Sequence, residues 1–226
     1  MKGAILGLTG TYCAGKNHVA KLLEARGFPV LDVDTLGHQG IELEKAAIIA
    51  RFGTGILDND GSVDRKRLGA QVFGSPEALA WLEALVHPAA NRLTEAWIAQ
   101  QGGRSCVINA ALLHRSSVWN RLSGIILVKA PLLTRLLRAR KRDKLPWTQL
   151  IRRFKSQREF MAQYLAEHAD IYSIYNRGYG TVWSRFFSGY VERQLDAALE
   201  KVFTQEDTAK PGTGEHTIRA DKKYPV

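Results

Sequence analysis

The chain has 226 residues, 45% of them hydrophobic, which supports one globular domain with a substantial core and argues against a disordered or fibrous protein. Thirty-two Lys and Arg against 22 Asp and Glu give a formal net charge of +10, so the expected partner is an anion: nucleic acid, phospholipid or a phosphorylated small molecule. The excess is local, because residues 129–158 hold eleven basic side chains and one acid, Asp143, while the rest of the chain balances to zero. Two cysteines, Cys13 and Cys106, exclude a disulfide framework, and no Cys/His set has zinc-finger spacing.

The first apolar run, Ala4 to Leu8, is far shorter than a membrane span of about 20 residues and reads as a buried strand of a soluble, cytoplasmic chain. A Gly-containing loop follows, then helical spacing of Val19, Leu22 and Leu23. Phe28 to Val33 reads as a second strand, with helical sequence up to about Phe52. Helical periodicity continues through Trp81, Leu82, Leu85, Val86, Leu93, Trp97 and Ile98, which predicts an inserted helical substrate subdomain over about 55–102.

Cys106 to Ala110 and Gly124 to Val128 are near-continuous apolar runs, as expected of parallel strands covered on both faces, and Ile171 to Tyr175 reads as a fifth strand. The basic segment follows the fourth strand and predicts a lid over about 138–160. From Thr204 little remains to bury, so 204–226 is expected to be a flexible tail beyond a single domain of residues 1–203. The predicted fold is α/β: a three-layer, doubly wound parallel sheet of about five strands, of the P-loop NTPase type.

The loop after the first strand, Gly10-Thr11-Tyr12-Cys13-Ala14-Gly15-Lys16-Asn17, fits G-x-x-x-x-G-K and departs from the motif only at the last position, where Asn17 replaces Ser or Thr. Backbone amides from Gly10 through Cys13, Ala14, Gly15 and His18 can wrap a phosphate at the helix N-terminus, and Lys16 can reach the outer phosphates. Asn17 offers an amide oxygen where a hydroxyl would hold Mg²⁺. A plain strand-to-helix turn would need the same glycines.

Asp32-Val33-Asp34 closes the second strand, and strand alternation predicts both carboxylates on one side at the carboxyl edge of the sheet. One can accept the proton of an attacking hydroxyl and the other can support Mg²⁺ through water; alternatively one of them caps the next helix.

With Asp60-Gly61-Ser62-Val63-Asp64-Arg65-Lys66-Arg67-Leu68, Val72-Phe73 and Leu85-Val86-His87-Pro88 following in order, the sequence resembles the dephospho-CoA kinase family from about residue 4 to 200. The resemblance implies transfer of the ATP γ-phosphoryl to the ribose 3′-hydroxyl of dephospho-CoA, with ATP and Mg²⁺ bound, and no membrane or nucleic-acid partner. By position it implies Asp34 as base, Arg138 as an active-site arginine beside Lys16, Arg142 as a lid residue on ATP, and His87 and Arg158 on the substrate side. A histidine before proline is equally expected at a helix boundary.

After the third strand the family usually carries a glutamate where this chain has Arg115. Together with Asn17, that substitution leaves a second reading open, a family member that binds nucleotide or CoA with impaired transfer. Another small-molecule kinase and a nucleic-acid-binding protein are further alternatives. Trp147 and Phe154, interleaved with the charges, are expected to pack in the core or stack on adenine.

Overall fold

The computed structural model describes residues 3–151, 154, 170–177 and 189–208. Among them, β1 (Ile5–Gly10), β2 (Val30–Asp32), β3 (Cys106–Asn109), β4 (Gly124–Lys129) and β5 (Ile171–Tyr175) form one parallel sheet in the order β2-β3-β1-β4-β5. The helices are α1 (Lys16–Ala25), α2 (Val33–Leu43), α3 (Lys45–Phe52), α4 (Arg65–Val72), α5 (Pro76–Gln100), α6 (Leu132–Asp143) and α7 (Tyr190–Thr208).

The near-continuous apolar strands are explained by burial on both faces. Leu6 and Leu8 of β1, with Val107, Ile126 and Val128, meet Val19 and Leu23 of α1 and Leu195 and Val202 of α7. On the opposite face Ile5, Ile108 and Ile125 meet Leu36, Leu113 and Val118, with Leu93 and Trp97 of α5 packed alongside. Between β2 and β3 the helices hold a small core of their own, where Ile48, Ile56, Val63, Leu68 and Val72 pack against Trp81, Leu82 and Leu85.

The strand order positions the site. β1 has β3 on one side and β4 on the other, so connections leaving its carboxyl edge diverge and open a crevice there, the place where ligands bind in open α/β sheets. The phosphate-loop sequence begins at that edge.

Several boundaries differ from the sequence-based expectation. β2 is shorter than predicted and ends at Asp32, because the Asp32 carboxylate accepts a hydrogen bond from the Asp34 amide at 3.1 Å and caps α2. Asp34 therefore stands in the first turn of a helix, and strand alternation does not relate the two carboxylates. β3 ends one residue early, at Asn109, and β4 runs one residue long, to Lys129. His87-Pro88 marks no helix boundary; it lies inside the 25-residue α5, which continues through Pro88 despite the missing donor. α7 runs to Thr208, past the expected start of the tail at 204, as Phe203 stacks on Phe28 at 5.9 Å between ring centroids and Thr204 bonds back to Glu200. Residues 209–226 lie outside the described residues, as does the later part of the expected lid with Arg158.

Candidate active site

The loop from Gly10 to Gly15 turns tightly out of β1. Thr11 N donates to Val128 O at 3.2 Å and Ala14 N to Thr11 O at 2.9 Å, after which α1 starts at Lys16. Two residues take the left-handed conformation, Cys13 at φ 58° and Gly15 at φ 100°. Gly15 has a second constraint, because a Cβ there would stand 2.2 Å from Asn176 Nδ2. Glycine is required at that position by both backbone and neighbour.

These residues line a cleft of about 580 Å³ together with Lys16, Asn17, Asp34, Arg138, Lys141 and Arg142. Lys16 Nζ donates to Asp34 Oδ2 at 3.2 Å, and Asp34 Oδ1 accepts from the Ala111 amide at 3.4 Å. The lysine side chain is 15% exposed and the carboxylate 56%, so Asp34 stands at the lip of the cleft with its cationic partner beneath. The Thr11 hydroxyl is buried in the loop without a partner, a polar atom that a bound phosphate or water could satisfy.

Arg138 lines the cleft and is bonded to the phosphate loop. Its Nη1 donates to the carbonyls of Cys13 at 3.3 Å and Ala14 at 3.0 Å, and its Nη2 to Asn176 Oδ1 at 3.1 Å. Burial pushes the guanidinium pKa below its ordinary value, yet a guanidinium remains charged at any physiological pH. Arg138 thus ties the phosphate loop to α6 and lines the cleft as a fixed positive charge.

Asn176, which sequence reasoning missed, completes that tie. It is buried just past β5, its amide donates to Lys129 O at 2.8 Å, and its Nδ2 donates to Ala14 O at 2.9 Å. A polar residue ending an apolar strand at the carboxyl edge of the sheet was the available signal. Arg135 braces the same loop from α6, donating from Nε to Tyr12 O at 2.8 Å while its guanidinium lies 4.7 Å from the Phe154 ring centroid. Tyr12 meets the Phe154 ring edge-on at 5.3 Å, so Phe154 serves core packing.

Arg142 lies over the Tyr12 ring at 5.1 Å and its Nε donates to Asp143 Oδ1 at 2.7 Å; the Tyr12 hydroxyl also bonds to Asp143. Trp147 is half exposed, under the Arg140 guanidinium at 5.7 Å. Cys13 lines the cleft, and burial pushes its thiol pKa up against the opposing pull of Arg142, Arg135 and Arg138.

Other expected site residues lie elsewhere. Asp32 is outside the cleft lining and is occupied as the α2 cap; His18, one residue along α1 from Asn17, is also outside it. His87 is in the middle of α5, away from the phosphate loop's cleft lining. Arg115, expected where the family carries an acid, donates to Glu83 of α5 at 3.4 Å and takes no part in the lining of the cleft. The charge reversal is therefore answered locally, outside the phosphate-binding face.

A parallel sheet with a glycine-bounded loop at its central strand, a lysine starting the next helix, an aspartate paired with that lysine and arginines lining the same cleft defines a P-loop kinase. The dephospho-CoA kinase family model matches residues 4–176. A dephospho-CoA kinase of Treponema pallidum is 33% identical over 184 residues, covering 77% of this chain and 87% of that protein. One of Anaeromyxobacter dehalogenans is 38% identical over 159 residues, 68% of this chain and 75% of its own. Among solved structures, TT1252 from Thermus thermophilus superposes with a TM-score of 0.71 at 29% identity, covering 91% of this chain and 98% of that one. The chain belongs to the dephospho-CoA kinase family.

Proposed function

We propose that this chain transfers the γ-phosphoryl group of ATP to the 3′-hydroxyl of dephospho-CoA, the final step of coenzyme A biosynthesis, in the cytoplasm. The observation that carries the reading is the Lys16–Asp34 pair at the mouth of the phosphate loop, in a chain of this family. Among the described residues no helix is long and apolar enough to cross a membrane.

Each side chain of the cleft has a part in such a transfer. The loop amides and Lys16 hold the β- and γ-phosphates, and Asp34, held by Lys16 and the Ala111 amide, orients the acceptor hydroxyl and takes its proton as the new bond from that oxygen to Pγ forms and the bond from Pγ to the β,γ-bridging oxygen breaks, with ADP leaving. Lys16 then neutralises charge gathering on the transferred group. Arg138, Lys141 and Arg142, which line the same cleft, add positive potential; phosphoryl transfer rests chiefly on positioning and charge stabilisation of this kind.

Mg²⁺ binds through one or two protein oxygens plus substrate phosphates and water. Asn17 and Asp34 both line the cleft beside Lys16, and an amide oxygen and a carboxylate are hard donors that fit such an ion. Asn17 would hold it, with Asp34 acting through water, and the ion would neutralise phosphate charge there. Asp32, whose carboxylate caps α2, is left a lesser part.

The test is turnover of dephospho-CoA with ATP by the purified chain. CoA formation that falls at least 100-fold in Lys16→Ala is the expected result, in line with the loss of a principal charge-stabilising group. Absence of CoA where a control kinase is active would falsify the proposal.

A further inference from the structure

Residues 129–158 hold a single acid among eleven basic side chains, Asp143, and it closes α6. The end of a helix gives no reason for an acid there: the dipole disfavours negative charge, and a carboxylate has no hydrogen to give the unpaired carbonyls. Its partners lie instead in the phosphate loop and the cleft. Asp143 Oδ2 accepts the Tyr12 hydroxyl, while Arg142 donates from Nε to Oδ1 at 2.7 Å and from Nη2 to Oδ2 at 3.4 Å. The same guanidinium lies over the Tyr12 ring, 5.1 Å from its centroid.

The three side chains are not equivalent. Asp143 is 15% exposed and does not line the cleft; Arg142 is 60% exposed and does, as does Tyr12. The acid is therefore the sheltered member and the cation the one presented to a ligand. Among the described residues Arg142 Nη1 has no hydrogen bond, so that end of the guanidinium is uncommitted. Arg135 and Arg138 are fixed by loop carbonyls and Asn176; Arg142, further along α6, is fixed instead by a ring and a carboxylate.

We propose that Tyr12 and Asp143 are positioning residues, which hold Arg142 ready for the phosphates of the nucleotide before it arrives. The inference rests on ATP being the ligand of the cleft. A long, exposed arginine loses rotamer freedom when it grips a ligand, and that loss weakens binding unless the folded protein has already imposed it. Here the Tyr12 ring restrains the plane of the guanidinium and the carboxylate restrains its rotation, which leaves the Nη1 hydrogens for phosphate oxygens. Because Tyr12 belongs to the loop that wraps the phosphates, the arginine is set relative to that loop and not only to its own helix.

The experiment is titration calorimetry of the whole chain with ATP and Mg²⁺, in the absence of dephospho-CoA. Charge alone and positioning predict opposite signs for Asp143→Ala, since removing a carboxylate from a cationic site would by itself tighten an anion. The expected result is a rise in the ATP Kd of roughly 2- to 10-fold, the cost of ordering one side chain. Tyr12→Phe, which keeps the ring and loses the hydroxyl, raises the Kd by a smaller factor. In an Arg142→Ala background both effects vanish, and each double variant binds ATP within about twofold of Arg142→Ala. A Kd that is unchanged or lower in Asp143→Ala overturns the proposal, as does a rise that persists in full without Arg142, or an Arg142→Ala chain with the wild-type Kd. If Asp143→Ala does not fold, Tyr12→Phe and its double variant decide by the same criteria. A chain that binds ATP but forms no CoA overturns the proposed function and leaves this inference standing; one that binds no ATP overturns both.

Discussion

Positive charge is handled in opposite ways in the two halves of the molecule. Between β2 and β4, Arg67, Arg92, Arg115 and Arg121 each face a carboxylate while Arg51 lies over the Trp81 ring; in the four pairs attraction and cancellation come together, and such exposed pairs are individually worth little. On α6 the arginines are held instead by backbone carbonyls and ring faces: Arg138 on Cys13 and Ala14, Arg135 on Tyr12 and Phe154, Arg140 on Trp147. Carbonyls and aromatic rings fix a guanidinium without cancelling its charge. Arg142 is the partial exception, sharing Asp143 and Tyr12. Apart from Lys16, paired with Asp34, and Arg142, the cations named here beside the phosphate loop are anchored by neutral groups and stay available to phosphates.

Four changes would break or sharpen that contrast. The largest effect is expected at the lip of the cleft, where Asp34→Asn removes the proton acceptor but keeps the size of the side chain. A fall in kcat of roughly 10²–10⁴-fold with an unchanged thermal midpoint is expected, and an unaffected kcat would remove Asp34 from the chemistry. Next comes Asn176→Ala, which removes one of the two hydrogen bonds on the Ala14 carbonyl and the partner of one arm of Arg138. Burial of the groups left unpaired predicts about 1–3 kcal/mol of lost stability in chemical denaturation, together with a higher ATP KM. A variant that lost stability while ATP KM stayed constant would reduce Asn176 to a core residue.

The third change lies on the carboxylate-paired side. Burial pushes the Glu95 carboxyl up, but hydrogen bonds from Arg121 and Ser117 outweigh it and hold the pKa below the ordinary 4.5. A folded-state pKa below the unfolded one gives stability that is present above the unfolded value and lost as pH falls through the folded one. Glu95→Gln should therefore flatten the acid limb of a stability–pH curve below about 4.5 and leave ATP KM alone; an identical acid limb would show the pair to be inert. The smallest effect is expected at Ser75, whose hydroxyl accepts from the Ala78 amide and caps α5. Ser75→Ala should cost about 1 kcal/mol in denaturant titration without altering turnover.

Much of this architecture was legible in the residues. Apolar runs located all five strands, because strands buried on both faces of a parallel sheet leave a signal that needs no alternation. Gly10, Gly15 and Lys16 located the loop, since few sequences put that spacing between strand and helix. Less legible was anything decided by competition between neighbours. Asp32 could end a strand or cap a helix, and the cap won, which moved Asp34 onto α2. His87-Pro88 looked like a boundary, but α5 packs along both sides of that position and continues. Arg138 was identifiable as a site arginine by resemblance, whereas its grip on the loop carbonyls depends on Asn176, a contact across 38 residues that no local pattern encodes.

That long-range contact also bears on how the protein is made. Ala14 and Asn176 are separated by 162 residues, so the loop leaves the ribosome 162 residues ahead of its brace. Until β5 is added at the edge of the sheet, Gly15 has no amide beneath it and Arg138 has one anchor fewer. A nascent chain not yet extended to β5 would carry the whole nucleotide motif without its finished shape, so the geometry of the loop waits on the synthesis of Asn176.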